Sequence, residues 1–150
     1  MFKRIRNKIL EKVKDEIYIP KDEGKVIFDA NKKVPHVYFK IKIINQTEVK
    51  LIPQKLFSWV YLGTDEIGQI RWDKDDPIKH VIMDIPPKRD FDYQLFYLLQ
   101  SVQNIEKDKL WLKGTITFGT QFGIITKNFE KYYSTKTKEW QEKIKIWRSI

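Results

Sequence analysis

The sequence predicts a mainly β protein: seven to eight short antiparallel strands, folded as a sandwich or barrel, flanked by N- and C-terminal helices. Three observations carry this. Between residues 25 and 126 apolar residues recur at every second position, the strand period. Turn signals interrupt that rhythm at intervals of about 8–15 residues, and no helical pattern intervenes, which disfavours βαβ units. Many strands are polar on one face, whereas parallel strands are buried on both.

The elements follow in order. Residues 2–16 place Phe2, Ile5, Ile9 and Val13 at helical spacing, with Lys3, Arg4, Arg6, Lys8, Lys12 and Lys14 over the remaining surface. This is a basic amphipathic helix. Asp22 and Gly24 break the chain, and 25–28 is a short strand. From Val37, the residues Val37, Phe39, Ile41 and Ile43 face one way, and Tyr38, Lys40 and Lys42 the other. The lysine-bearing face suits a half-buried edge strand, where Lys discourages aggregation. Residues 56–62 set Leu56, Val60 and Leu62 against Phe57, Trp59 and Tyr61. Shorter strands are expected at 67–72 and at 78–85, the latter with Val81, Met83 and Ile85 on one face. Residues 91–99 and 110–118 alternate strongly, and 122–126 adds a last short strand. Trp140, Ile144 and Trp147 then form one stripe of a C-terminal helix, which Phe129 and Tyr133 extend if it starts earlier. The expected organisation is a helix over 1–16, a β domain over 17–130 and a helix over 131–150.

Composition limits the function. One hundred and fifty residues suit one domain. There are no cysteines, which excludes disulfides, zinc–thiolate sites and thiol nucleophiles. Neither an 18-residue apolar run nor a secretory core is present. A cytoplasmic protein, peripheral to a membrane at most, is expected. The abundance of Lys, Ile and Glu hints at a thermophile. The net charge of +9 sits at the ends: eight basic against five acidic residues in 1–25, six against two in 131–150, and fifteen against thirteen between them. A nucleic-acid-binding body usually carries its own excess.

Catalytic and metal motifs are missing. His36 and His80 lack ligand spacing. Neither a GxSxG nor a phosphate-binding glycine loop occurs. Asp65, Glu66, Asp73, Asp75 and Asp76 lack the arrangement of an EF-hand and read as solvated loop, unless two loops converge at one end of the sandwich. No enzyme, cofactor or metal is expected.

VYFKIKIINQTE runs into an asparagine corner at Ile43, Ile44 and Asn45, and LFSWVYLGTDEIGQI follows it. This strand order resembles the late-embryogenesis-abundant, WHy-type (water stress and hypersensitive response) domain over roughly 34–126, with Asn45-Gln46-Thr47 where the family usually has Asn-Pro-Asn. LFSWVYLGTDEIGQI matches at Val60, Leu62 and Gly63, and at the Ile67-Gly68 pair. IPPKRDFDYQLFYLL is similar to the family's proline-marked entry into a long strand, and LWLKGTITFGTQFG to its closing strands, with Gly114 mid-strand. The resemblance implies an immunoglobulin-like or fibronectin-like sandwich and a non-catalytic role in stress protection, membrane-proximal association or partner binding. The expected partner is a protein or an anionic membrane surface, contacted through Lys3, Arg4, Arg6, Lys8, Lys12 and Lys14 or through Trp140, Ile144 and Trp147. Homo-oligomerisation through the terminal helices is a further expectation. The alternative is a nucleic-acid-binding accessory protein that uses the two basic ends.

Overall fold

The computed structural model describes residues 2–21, 24–29, 36–75, 83–98, 110–134 and 142. A helix, α1 (Phe2–Asp15), precedes eight strands: β1 (Ile17–Tyr18), β2 (Gly24–Asp29), β3 (His36–Asn45), β4 (Ile52–Leu62), β5 (Asp65–Asp73), β6 (Asp90–Leu98), β7 (Leu110–Thr120) and β8 (Gly123–Ser134). They form a β-sandwich. In one sheet β3 pairs with β6 on one side and with β1 and β2 on the other, all antiparallel. The second sheet runs β8-β7-β4-β5, again antiparallel. A two-residue parallel match, Gly24 with Tyr133 and Lys25 with Ser134, joins the sheets along one side.

Period-two burial builds the core. Val37, Phe39, Ile41 and Ile43 of β3, with Tyr93 and Leu95 of β6, face Leu56, Val60, Leu112, Ile116, Phe118 and Ile125 of the second sheet. Tyr133 lies fully buried between the layers, edge-on to Phe39 with ring centroids 4.9 Å apart. Its hydroxyl donates to the Lys40 carbonyl at 2.9 Å.

Four sequence expectations need correction. β3 is a central strand, not an edge. Its lysines face outward all the same: Lys40 and Lys42 are exposed, and Lys42 lies 3.6 Å from Asp90 of the neighbouring strand. The strand expected at 78–85 reduces, in its described part, to a single bridge between Ile85 and Leu51. Met83 is exposed while Ile85 is buried, so they share no face. The short strand at 122–126 is instead the twelve-residue β8, which takes up residues 131–134, assigned above to the C-terminal helix. Trp140, Ile144 and Trp147 lie outside the described residues.

Tyr97 holds the seam between the sheets on the β5–β6 side. Its hydroxyl donates to the Ile67 carbonyl at 2.5 Å, where a bulge makes Ile67 the extra residue between Glu66 and Gly68. The Tyr97 ring covers Gly68 so closely that a Cβ there would collide with it. Burial pushes the Tyr97 hydroxyl up, and burial together with the Asp84 charge pushes Tyr93 up further. A raised tyrosine pKa leaves both states protonated below the unfolded value of 10.0. Above it, only the unfolded chain releases its proton readily, so stability falls as pH rises. Thermal melts should give a level Tm contribution from these groups up to about pH 10 and a decline beyond it. That decline should be shallower in Tyr93→Phe.

Candidate functional site

α1 closes one end of the sandwich, the end that also holds the β3–β4 connection and the β7–β8 hairpin. The helix forms because its apolar positions repeat at helical spacing. Only part of that stripe is seated. Val13 is buried, and Ile9 and Leu10 pack against the core. Leu10 lies over Gly123, where a Cβ would come within 3.2 Å of its Cδ1. The C-terminus of the helix is well tied: the Lys127 ammonium donates to the Lys14 carbonyl at 3.0 Å, and Gln46 N–H to the Glu16 carbonyl at 3.1 Å. A cation on those last carbonyls also suits the helix dipole.

The first half of α1 differs. Phe2 is 86% exposed and Ile5 52%. Phe2, Ile5, Arg6 and Ile9 form one wall of an open cleft of about 580 Å³, and Thr120, Gln121, Phe122 and Gly123 of the β7–β8 hairpin form the other. Lys3, Arg4, Arg6, Lys8, Lys12 and Lys14 all lie on this helix, where only Glu11 and Asp15 oppose them. The first turn carries Lys3 and Arg4 and no acid. Cations beside the positive end of a helix dipole are unfavourable unless an anion faces them.

The outer face of the β8-β7-β4-β5 sheet bears a second feature. Tyr61, Trp111 and Tyr132 stand in one cross-strand row and stack, with centroids 4.2 and 5.4 Å apart and planes within 18°. Trp111 Nε1 donates to the Gly63 carbonyl at 2.7 Å. Phe57 meets Trp59 edge-on, and the Arg71 guanidinium sits 5.1 Å over the Phe57 ring. The stacked trio turns its ring faces inward on itself and braces β4, β7 and β8 against one another. Beside them lies a shallow cleft of about 310 Å³, lined by Lys21, Trp59, Lys113, Thr115, Asn128 and Glu130.

The acidic residues do not converge. Asp65 and Glu66 begin β5, and Asp73 and Asp75 lie at and beyond its end, separated by roughly 26 Å of strand. Among the described residues no three acidic or histidine side chains gather closely enough to hold a metal ion. His80 and Asp76 lie outside the described residues. The six basic residues therefore come together on α1, as expected, whereas the tryptophan stripe of the C-terminal residues falls outside the description. Sequence reasoning missed the hairpin wall of the cleft. Its only signal was a phenylalanine at a two-residue turn, where Gly, Asn or Asp usually stands.

No protein-family model and no curated protein sequence matches the chain. Among solved structures, the X-ray structure of Northeast Structural Genomics Consortium target SoR45 aligns with a TM-score of 0.57 at 12% identity, covering 84% of this chain and 92% of its own. The solution structure of AT1g01470 from Arabidopsis thaliana aligns with a TM-score of 0.53 at 16% identity, covering 77% of this chain and 81% of its own. At such identities these likenesses show the fold alone, and that fold is the β-sandwich.

Proposed function

We propose that the chain is a non-catalytic binding module of the WHy type that attaches peripherally to an anionic membrane surface through α1. One observation carries the reading: the helix seats Ile9, Leu10 and Val13 on the sandwich but leaves Phe2 and Ile5 exposed among six cations. A helix whose sole task was to cover the core would bury the whole stripe. Among the described residues no helix is long and apolar enough to cross a membrane. An interfacial helix instead lays its apolar face at the headgroup boundary and its cations against anionic lipid. Each basic residue near such a surface adds about 1 kcal/mol, screened by salt. The WHy assignment draws its support from the Asn45 corner and the Ile67-Gly68 pair.

The test is co-sedimentation with phosphatidylcholine vesicles, with and without phosphatidylserine. The chain is expected to bind only the anionic vesicles and to release as salt rises. Phe2→Glu with Ile5→Glu should weaken partitioning at least about tenfold, because two apolar side chains lose their burial. Phe2 is exposed and Ile5 half-exposed in the free protein, so its stability should hold to within about 0.5 kcal/mol. Steeply salt-dependent binding to duplex DNA or RNA without vesicle binding would move α1 to the nucleic-acid reading.

A further inference from the structure

We infer that the β7–β8 hairpin is a second membrane-inserting element, placed beside α1 so that the sandwich stands end-on to an anionic bilayer. The inference rests on the membrane reading above and adds the depth and orientation of the contact. Ile124, the second residue of β8, is 70% exposed. By strand register it lies opposite Gly119, which lies opposite Ile52, itself 36% exposed. Ile52 and Ile124 thus occupy one row on the outer face of the sheet, on either side of Gly119, over which only the amide end of the Gln54 side chain reaches. Phe122, half-buried in the hairpin turn, forms the cleft wall that faces Phe2 and Ile5. Four of the eight exposed large hydrophobic residues among those described, Phe2, Ile5, Ile52 and Ile124, therefore stand at one end of the molecule. Exposed apolar side chains gathered at one end in this way mark an interaction site.

Charge identifies the occupant. The apolar rim is bordered by the cations of α1, and Arg6 lines the cleft itself. Apolar groups flanked by Lys and Arg on one side suit acyl chains beneath anionic headgroups better than a protein patch, whose centre is usually depleted of charge. The hairpin is rigid enough to insert. Thr120 Oγ1 donates to the Gly123 carbonyl at 2.8 Å and accepts from Phe122 N–H at 3.1 Å, which closes the turn. Gly123 takes a φ of +138°, open to glycine at little cost.

The absence of cysteine permits a clean probe. Ile124→Cys and Asn128→Cys, each carrying a polarity-sensitive fluorophore, are compared on phosphatidylserine-containing vesicles. Residue 124 should shift to the blue and be quenched by lipids brominated on their acyl chains; residue 128, higher on the same face, should stay in water. Ile124→Glu should weaken vesicle partitioning roughly tenfold with an unchanged Tm. If the chain co-sediments while the label at 124 remains in water, the hairpin inference fails and the membrane reading stands. If the chain does not co-sediment at all, both fail. Concentration-dependent self-association that Ile124→Glu abolishes, without vesicle binding, would assign this end to a dimer contact and overturn the inference.

Discussion

Replacing Asn45 with Ala is expected to destabilise the sandwich by about 3–5 kcal/mol, lowering Tm by roughly 10–15 °C. The side chain is 1% exposed and every polar atom on it is engaged. Its Nδ2 faces three carbonyls: Val49 at 2.8 Å, Pro86 at 3.0 Å and Ile85 at 3.2 Å. Two N–H bonds serve three acceptors, so one contact is shared. Oδ1 accepts from Thr47 N–H at 3.0 Å and from Thr47 Oγ1 at 2.6 Å. Thr47 Oγ1 in turn accepts from Val49 N–H at 3.1 Å. One amide thus ties the end of β3 to its own outgoing loop and to the proline loop forty residues on. Alanine would strip the partners of those bonds in a site closed to water, and an orphaned buried group costs about 1–3 kcal/mol. The ladder bonds between Leu51 and Ile85 remain in the variant, so the fold should survive. Asn45→Asp should be no milder, because it turns a second oxygen toward three carbonyls. The measurement is urea or thermal unfolding of both variants beside Thr47→Val, which should lose less. A Tm for Asn45→Ala within two or three degrees of the parent would show that the corner is ornamental.

The asparagine corner also marks how far the sequence could be read. That β3 ends at Asn45 was legible, because alternation stops there. That its amide reaches the 85–86 loop was not, since contact between distant segments leaves no periodicity. The same limit explains β3 itself. Alternation told which face carries lysine, but whether a strand is central depends on its neighbours. β8 was misread for a physical reason. Inward positions 125, 127, 129, 131 and 133 include two lysines, Lys127 and Lys131. These conceal the period of two and leave Ile125, Phe129 and Tyr133 four apart, a helical spacing. Lys131 is nonetheless 5% exposed, a lysine held within the sandwich wall. At the candidate site, α1 and its cations were plain in the pattern. How much of its stripe would stay exposed was not, because that depends on where Leu10 and Val13 dock.

Substitution of Gly114 should prove the most damaging change in the second sheet, and with the opposite sign to the usual rule. Alanine in place of a strand glycine ordinarily gains about 0.5–1 kcal/mol by restricting the unfolded chain. Gly114 sits in the middle of β7, paired with Ser58 of β4 and Phe129 of β8. A Cβ added there would overlap the Phe57 carbonyl oxygen and come within 2.6 Å of Ser58 Cα. These are backbone atoms of a central strand, so no rotamer change relieves the clash; β4 and β7 would have to separate. Ser58, fully buried, leaves no slack, for its hydroxyl already donates to the Trp59 carbonyl at 3.0 Å. Gly114→Ala is therefore expected to cost about 3–4 kcal/mol, and Gly114→Val to prevent stable folding. Gly119→Ala is the control on the same strand. Its nearest neighbour is the amide end of the Gln54 side chain, at 2.8 Å, which can swing aside. That variant should hold or slightly raise Tm. Equal melting temperatures for the two alanine variants would mean that β4 and β7 do not approach as closely at Ser58 as the structure places them.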